Sequence, residues 1–280
     1  MPDNSRRTVL VTGCSSGIGY TAAKELMARG YDVIASARRP EDVDTLRKEG
    51  IPSITLDLAD SGSIRAAAEE VSRRSGGRLF GLVNNGAFAL PGAVEDLDRD
   101  AMRRQFETNV FGTMELTNAL LPLLEKSGGA RIIMISSILG LVAMPWRGAY
   151  NASKFALEGF TQTLRLELAD RGVKVIIINP GPIESRFRLN AQQHADDHLA
   201  LESSRHREVY EKMRASRERE DGKMPLSLPP EAVVRRIVTA LESSRPAMRY
   251  LVTRPAHWLA LAKRLLPESW LDAILRRASR

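Results

Sequence analysis

A tyrosine and a lysine stand four positions apart in the segment YNASK, residues 150–154. On an α-helix that spacing places both side chains on one face, where they could contact the same small molecule. A phenol with an ordinary pKa near 10 exchanges its proton poorly at neutral pH, and a nearby ammonium group lowers the pKa of the phenol. Tyr150 and Lys154 therefore have the chemistry of a proton-transfer pair. Because the spacing is common by chance, the surrounding elements must decide between that chemistry and an ordinary amphipathic helix.

The chain alternates short apolar stretches, which are typical of buried strands, with helical patterns. The predicted strands are residues 8–13, 32–37, 53–58, 79–85, 130–137, 173–181 and 249–253. Strands that are apolar along their whole length are buried on both faces, and their alternation with helices predicts a parallel sheet. Right-handed crossovers place helices on both faces, so we expect an α/β fold with one doubly wound sheet of the Rossmann type. Because no linker or repeat interrupts the pattern before residue 185, residues 1–280 are predicted to form a single domain.

The composition indicates a globular protein and excludes several other classes. Of 280 residues, 43% are hydrophobic, and no apolar run reaches the ~18 residues that a membrane-spanning helix needs. A single cysteine and an N-terminus unlike a signal peptide predict a reducing compartment, so the expected location is the cytoplasm. The net charge of +7 suggests nucleic-acid binding, but the 41 basic residues are interleaved with 34 acidic ones and no nucleic-acid recognition motif is present. We therefore expect no nucleic-acid partner, and the charge is better suited to an anionic membrane surface.

The first predicted strand runs into a glycine-rich loop, TGCSSGIG at residues 12–19. In a doubly wound sheet this turn holds the pyrophosphate of a dinucleotide, because helix N–H groups and the helix dipole are directed at the phosphates. The glycines would allow a tight turn, close approach of the backbone to the ligand, and close packing of helix and sheet. The residues predicted to bind the cofactor here are Gly13, Ser15, Ser16, Gly17, Ile18 and Gly19. The alternative is a glycine-rich turn without a ligand.

The second predicted strand ends in SARR, where a chain that binds NAD commonly has a carboxylate for the ribose diol. Arg38 could hold a 2′-phosphate through two hydrogen bonds, which favours NADP(H) over NAD(H). Arg39 could equally be a solvated residue before the next helix. At the end of the third strand, Asp57, followed by Leu58, could accept a hydrogen bond from the adenine amine or cap a helix that begins near Ser61.

Six motifs occur in an order that resembles the short-chain dehydrogenase/reductase family. They are TGCSSGIG, NN at 84–85, TNVFGT at 108–113, the strand that ends in Ser136 and Ser137, YNASK, and NPGPIES at 179–185. The resemblance covers residues 8–185 and is closest in character to the branch with 17β-hydroxysteroid dehydrogenase type 1, retinol dehydrogenases and bacterial aldehyde-reducing relatives. It implies that Tyr150 is the general acid and base of a hydride transfer, and that Lys154 acts beside it and on the nicotinamide ribose. It also implies that Ser137 holds the substrate oxygen and that Asn109 keeps a water molecule in a proton relay behind the lysine.

The segment NNGA departs from the family, which usually has the order Asn-Asn-Ala-Gly. If the last position required a positive φ, Ala87 would be strained there. Ser185 stands where the family has a threonine and keeps the hydroxyl group. The resemblance assigns these further residues to the cofactor site, the last four near the nicotinamide: Asn84, Gly86, Pro180, Gly181, Ile183 and Ser185.

Two segments lie outside the motifs. Residues 186–228 are polar and dense in charge, and the resemblance implies that they form a helical lid over the substrate, the alternative being a solvated helical insertion. Within them His194 and His198 lie at i and i+4 with Asp197 between, but without a third ligand elsewhere we expect a surface pair and no metal. Residues 255–280 are predicted to form amphipathic helices that make a peripheral membrane contact, cover the cleft or pack at a subunit interface.

The predicted function is that of an NADP(H)-dependent oxidoreductase that interconverts a carbonyl and an alcohol. The expected substrate is a small apolar carbonyl compound: a long-chain aldehyde, a retinoid or a steroid-like ketone, as the branch resemblance implies. Relatives commonly pair through the helix that carries the tyrosine and lysine and the helix before it, so a homodimer or homotetramer is expected. Two other functions stay open, a non-catalytic NADP(H)-sensing protein and a membrane-associated interaction protein. The intact Ser137, Tyr150 and Lys154 argue against a pure sensor.

Overall fold

All seven predicted strands are confirmed, and each lies within its predicted boundaries. The computed structural model describes residues 7–198, 203–219 and 226–278. The strands are β1 (Thr8–Val11), β2 (Asp32–Ala37), β3 (Ser53–Thr55), β4 (Gly81–Asn84), β5 (Arg131–Ile135), β6 (Lys174–Pro180) and β7 (Arg249–Val252). They form one parallel sheet in the order β3-β2-β1-β4-β5-β6-β7. Most strands are shorter than predicted by one to three residues at an end.

Helices surround the sheet on both faces. They are α1 (Gly17–Ala28), α2 (Pro40–Lys48), α3 (Ser61–Arg74), α4 (Arg99–Phe106), α5 (Thr113–Lys126), α6 (Gly148–Glu167), α7 (Phe187–His198), α8 (Arg207–Arg219), α9 (Glu231–Glu242), α10 (Arg254–Leu265) and α11 (Glu268–Ala278). Between α4 and α5 the chain forms a π-helical stretch, Glu107–Gly112, and a short 3₁₀ turn, Ile138–Gly140, follows β5. The arrangement is the doubly wound Rossmann-type fold that the sequence predicts.

The hydrophobic core has two layers, one on each face of the sheet. Side chains alternate along a strand, so Val9 and Val11 of β1 belong to one layer and Leu10 to the other. The first layer includes residues of α1 and α9, and the second includes residues of α3, α5 and α6. The strand order reverses between β1 and β4, and in such sheets ligands bind outside the carboxyl ends of the strands at this point.

The predicted lid contains α7 and α8, while residues 199–202 and 220–225 lie outside the described part of the chain. Tyr210 of α8 anchors this region: its hydroxyl group accepts a hydrogen bond from the backbone N–H of Ala93 (2.8 Å) and donates one to Asp96. Within the described ranges, no helix is both long enough and apolar enough to cross a membrane.

Candidate active site

The glycine loop between β1 and α1 has the backbone geometry of a phosphate-binding turn. Gly13 and Gly17 have φ values of +69° and +57°, a region that residues with a Cβ atom rarely adopt. A Cβ atom on Gly19 would lie 2.3 Å from the carbonyl oxygen of Gly13, so only glycine lets α1 begin this close to the strand end. In the described chain no side chain caps the N-terminus of α1, which leaves its first N–H groups available to an anion.

A cleft of about 410 Å³ opens beside this loop, at the ends of β2 and β3. Ser15, Arg38 and Leu58 line it together with Asp57. Asp57 accepts a hydrogen bond from the N–H of Ala59 (2.9 Å). The cap of α3 is Asp60, whose carboxylate accepts a hydrogen bond from the N–H of Gly62 (2.8 Å), so Asp57 does not cap that helix.

The two arginines after β2 have different environments. The guanidinium group of Arg39 donates two hydrogen bonds to Asp42 in the first turn of α2, at 2.9 and 3.0 Å. Arg38 is exposed and has no hydrogen bond or ion pair with any other described residue. Both side chains line the cleft, but only that of Arg38 can bind an anion without giving up an existing partner.

A second cleft adjoins the glycine loop, and of the predicted cofactor residues two line neither cleft, Gly19 and Asn84. The amide group of Asn84 points into the core and donates to the hydroxyl of Thr117 (3.0 Å) and to the sulfur of Met134 (3.2 Å). Because successive side chains of a strand point to opposite faces, the next residue, Asn85, lines the second cleft, which contains Ser137 and Tyr150. The amide of Asn85 donates to the backbone oxygens of Thr12 (2.9 Å) and Gly13 (3.2 Å) and so fixes the glycine loop. Alternation along β4 was the signal that could have found it.

The exchange of glycine and alanine after the paired asparagines causes no strain. Neither Gly86 nor Ala87 has a positive φ, so the alanine fits an ordinary backbone conformation. Both residues line the two clefts. The N–H of Gly86 donates to the hydroxyl of Thr12 (2.7 Å), which holds this strand end against the glycine loop.

The second cleft, of about 530 Å³, shares the glycine loop with the first and contains three of the four predicted catalytic residues, Ser137, Tyr150 and Lys154. Ser137 follows β5, and Tyr150 and Lys154 lie one turn apart on α6. The Lys154 ammonium nitrogen lies 5.7 Å from the centre of the Tyr150 ring and donates a hydrogen bond to the carbonyl oxygen of Ile135 (2.9 Å). The structure thus brings the predicted serine, tyrosine and lysine to one cleft.

Burial controls the ionisation of the tyrosine–lysine pair. It raises the pKa of Tyr150 to about 12, although a hydrogen bond with Ser137 and the charge of Arg147 oppose that change. Burial also lowers the pKa of Lys154 to about 8, which the negative charge of Glu158 partly offsets. The expected lowering of the phenol pKa by the lysine is therefore not observed. Arg147, which the sequence analysis missed, lies one helical turn before Tyr150 and lines the same cleft.

Asn109 lies in the π-helical stretch, fully buried and away from both clefts. Its side-chain amide donates to the backbone oxygen of Phe88 (3.0 Å) and to the hydroxyl of Ser153 (3.1 Å), and its side-chain oxygen accepts from the N–H of Phe88 (3.1 Å). Ser153 in turn donates to the backbone oxygen of Tyr150 (2.9 Å). Asn109 therefore ties the loop after β4 to the helix of the candidate acid.

The segment after β6 forms the remaining wall of the second cleft. Pro180, Gly181, Ile183 and Ser185 all line it, as predicted for the nicotinamide end. A Cβ atom on Gly181 would lie 2.2 Å from the hydroxyl oxygen of Thr253, the N-cap of α10. Only glycine at this position therefore lets the start of α10 pack against the turn after β6.

Apolar residues from three separate parts of the chain close the outer side of this cleft. They are Leu139 and Met144 after β5, Phe187 and Ala191 of α7, and Pro255, Leu259 and Ala278 of the C-terminal helices. The Phe187 ring packs against Tyr150, with 5.8 Å between the ring centres. Apart from the glycine loop and the catalytic residues, the lining is thus largely apolar, with Arg147 and Asn190 among the exceptions.

The predicted histidine pair is only partly described. The His194 ring packs against Phe88, with 4.9 Å between ring centres, while the side chains of Asp197 and His198 lie outside the described part. No group of metal-binding side chains is found among the residues that can be described.

The C-terminal helices present apolar side chains to solvent as well as to the core. Leu271 and Leu275 are buried against the segment after β5. Trp258 of α10 and Trp270 of α11 are 71% and 64% exposed, which is unusual for the largest apolar side chain.

Comparison with known proteins agrees with the fold and the motifs. The family model for short chain dehydrogenases matches residues 7–196. The chain is 40% identical over 271 residues to an uncharacterized oxidoreductase of Escherichia coli, YbbO, with 97% of this chain and 94% of that protein covered. It is 35% identical over 183 residues to 3-ketodihydrosphingosine reductase of Bacteroides thetaiotaomicron, with 65% and 66% covered. A solved short chain dehydrogenase from Burkholderia cenocepacia, in complex with NADP, matches with a TM-score of 0.75 at 25% identity, over 96% of this chain and 97% of that one.

Proposed function

Because the chain belongs to the short-chain dehydrogenase family and is an oxidoreductase of that type, we propose that it uses NADP(H) to interconvert an apolar aldehyde or ketone and the corresponding alcohol. The observation that carries the proposal is the meeting of Ser137, Tyr150 and Lys154 in a cleft that is continuous with the glycine loop. Such an arrangement lets a reacting carbonyl and the nicotinamide of a bound dinucleotide meet at one point.

The residues around the two clefts fit an NADP cofactor. The turn of Gly13 and Gly17 with the N-terminus of α1 would hold the pyrophosphate, and Arg38 would hold the 2′-phosphate. The nicotinamide would lie against the wall formed by 180–185, within reach of Lys154. When bound, the reduced cofactor supplies the hydride.

The protein's own contribution is the handling of the substrate oxygen and of one proton. Ser137 would donate a hydrogen bond to that oxygen and hold it beside Tyr150. Tyr150 would give up its phenolic proton as negative charge develops on the oxygen. Lys154 would stabilise the resulting phenolate electrostatically. Asn109 would hold the backbone of α6 at Tyr150 in place through its hydrogen bond to Ser153.

We propose that the protein works as a reductase, because the protonated phenol is the form that a general acid requires. Because the pKa of Tyr150 is raised to about 12, the phenol keeps its proton throughout the neutral range and is ready to act as an acid. The oxidation of an alcohol would require the phenolate, which burial disfavours.

An apolar substrate is supported by the residues that close the cleft. The outer side contains Leu139, Met144, Phe187 and Leu259 and offers few partners to a polar substrate. The similarity to a 3-ketodihydrosphingosine reductase supports long-chain carbonyl compounds in particular. We propose that 186–228 serves as the substrate lid, which is supported by Phe187, Asn190 and Ala191 of α7, since these residues line both clefts.

The proposal is tested by NADPH oxidation at 340 nm against aliphatic aldehydes, retinal, steroid ketones and long-chain 3-keto compounds. The wild-type protein should turn over the apolar members, and Tyr150→Phe should lose about 10²- to 10⁴-fold in kcat while still binding NADPH. Equal rates for Tyr150→Phe would refute the assignment of the acid. Tight NADPH binding without turnover of any carbonyl compound would favour the alternative, an NADP(H)-sensing protein.

We also propose that the C-terminal helices touch an anionic membrane from which apolar substrates are taken. Trp258 and Trp270 are exposed, and Lys263, Arg264, Arg276 and Arg277 lie on the same two helices. The protein should sediment with vesicles that contain phosphatidylserine, and the double variant Trp258→Ser/Trp270→Ser should not. Met248→Ser, at a residue that is 64% exposed on another element, is the matched control. Sedimentation of the double variant at the wild-type level would contradict membrane docking through these helices.

The expected homodimer or homotetramer would use α5 and α6. Phe111 and Phe155, close to the two helix starts, are 51% and 43% exposed, which suits a contact between copies. Light scattering of Phe155→Glu against the wild type tests this pairing, since a charge at such an interface should give monomers.

A further inference from the structure

A buried carboxylate lies directly behind the candidate catalytic lysine. Glu158 is one helical turn beyond Lys154 on α6, on the side of the helix that faces the sheet, and only 4% of it is exposed. A carboxylate is rarely buried to this degree unless it is paired, because the charge is costly to remove from water.

Glu158 belongs to a closed set of hydrogen bonds. One carboxylate oxygen accepts from the amide of Asn179 (2.6 Å) and the other from the guanidinium group of Arg249 (2.7 Å). Arg249 also donates to the side-chain oxygen of Asn179 (2.6 Å). The three residues come from α6, β6 and β7, so the set joins a helix to two neighbouring strands.

The same set reaches the catalytic serine. The amide of Asn179 donates a second hydrogen bond to the backbone oxygen of Ser137 (2.8 Å). The turn after β5 packs tightly here, since a Cβ atom on Gly140 would lie 3.0 Å from the Glu158 side chain. One carboxylate therefore connects to both halves of the candidate site, to Ser137 through Asn179 and to Lys154 along the helix.

We propose that Glu158, held by Asn179 and Arg249, is a positioning residue that keeps the Lys154 ammonium group charged and the backbone of Ser137 in place. The role rests on the proposed function of Lys154 as the cation beside Tyr150. The ionisable groups around the lysine are Tyr150 and Glu158 on α6, with Arg147 before the tyrosine and Arg249 behind the glutamate. Glu158 is the group that favours the charged lysine, against the effect of burial.

The experiment measures the pKa of Lys154 directly, by NMR of protein labelled with ¹³C at the lysine Cε. The Lys154 resonance is identified by its absence from Lys154→Arg, and it should titrate near pH 8, well below exposed lysines. Neither substrate nor cofactor is needed, so a failure of the proposed reaction would not affect the result.

Glu158→Gln keeps the shape but removes the charge and one of the two acceptor atoms, because its amide nitrogen can only donate. The pKa of Lys154 should fall by about 0.5 to 1 pH unit. Glu158→Asp, which keeps the charge, should restore most of that change. Arg249→Met removes the cation that offsets the carboxylate, so the pKa of Lys154 should rise. The matched control is Glu125→Gln, which breaks the half-exposed ion pair with Arg171 elsewhere on the surface and should change nothing.

The two variants should shift the pKa of Lys154 in opposite directions, and this distinguishes the proposed role of Glu158 from a purely structural one. If Glu158 served only to hold β7, then Glu158→Gln and Arg249→Met would loosen the same packing and shift the lysine pKa in the same direction. That outcome would overturn the proposal, as would an unchanged pKa in folded Glu158→Gln. If Glu158→Gln does not fold, the rise expected in Arg249→Met decides the question.

Discussion

Replacing Arg38 by alanine should weaken the binding of NADPH and leave that of NADH unchanged. The guanidinium group of Arg38 lies in the cleft at the end of β2 and has no partner among the described residues, so its hydrogen bonds to a 2′-phosphate would be gained without breaking others. Hydrogen bonds to charged groups contribute about 1.5–3 kcal/mol, and the exposure of Arg38 places its contribution at the lower end. At ~1.4 kcal/mol per tenfold change, the dissociation constant of NADPH should rise about 10- to 30-fold.

Arg39 supplies an internal control for that prediction. It carries the same charge one residue further on, but its guanidinium group already makes two hydrogen bonds to Asp42. A 2′-phosphate would have to compete with that carboxylate, so Arg39→Ala should change the dissociation constant of NADPH less than about 3-fold. Arg38→Ala and Arg39→Ala each remove one positive charge, so the general electrostatic attraction of the anionic cofactor should decrease by nearly the same amount in both variants.

Titration of the cofactor fluorescence at two salt concentrations measures both constants. The effect of Arg38→Ala should be largest at low salt, because the phosphate contact is exposed to screening. Equal losses for NADH and NADPH, or an effect of Arg39→Ala as large as that of Arg38→Ala, would refute the assignment of the 2′-phosphate to Arg38.

Two further predictions concern stability. Lys154→Met should raise the free energy of unfolding at pH 7 by up to about 3 kcal/mol, because the charged lysine is disfavoured by burial. The native pKa of about 8 lies below the ordinary 10.5, so the unfolded chain binds the proton more tightly between these values and wild-type stability rises with pH in that window. Urea unfolding at pH 7 and 10.5 checks this, and an advantage that does not shrink with pH would contradict it. Gly112→Ala should destabilise by more than about 2 kcal/mol, since the new Cβ atom would lie 1.7 Å from the carbonyl oxygen of Leu58. A loss below about 0.5 kcal/mol in the same measurement would mean that the backbone there can move.

The sheet could be predicted from the sequence because buried parallel strands require apolar residues along their whole length. Two predicted segments, 32–37 and 173–181, have few polar interruptions. The first matches β2 at both ends, and the second exceeds β6 by one residue at each end. The turns after the strands were predicted less well. Asp60 and not Asp57 caps α3, because the chain makes one more turn after β3 before the helix begins.

Motif order was sufficient to find the residues of the cleft but not their ionisation. The spacing of Tyr150 and Lys154 places them on one helix face, and this much follows from the sequence alone. Their pKa values depend on burial by segments that are distant in sequence, including Phe187 of α7. Asn84 was assigned to the cofactor from its motif, whereas its direction depends on which face of β4 it occupies. The pKa values and the direction of the Asn84 side chain depend on tertiary contacts, which no local sequence pattern specifies.

The arrangement around Lys154 shows why such a site requires support from the rest of the fold. A lysine that is 2% exposed, beside a tyrosine that is 9% exposed, is unfavourable for stability, and the chain tolerates it because the position is useful. The hydrogen bond to Ile135 and the carboxylate of Glu158 reduce the penalty without removing it, since the pKa of the lysine is still lowered. A lysine with a pKa near 8 is still mostly charged at neutral pH, but it exchanges its proton more readily than an exposed lysine with a pKa near 10.5. The burial of Lys154 therefore causes both the loss of stability and the capacity for proton exchange. A substitution such as Lys154→Met, which restores stability, should remove that capacity.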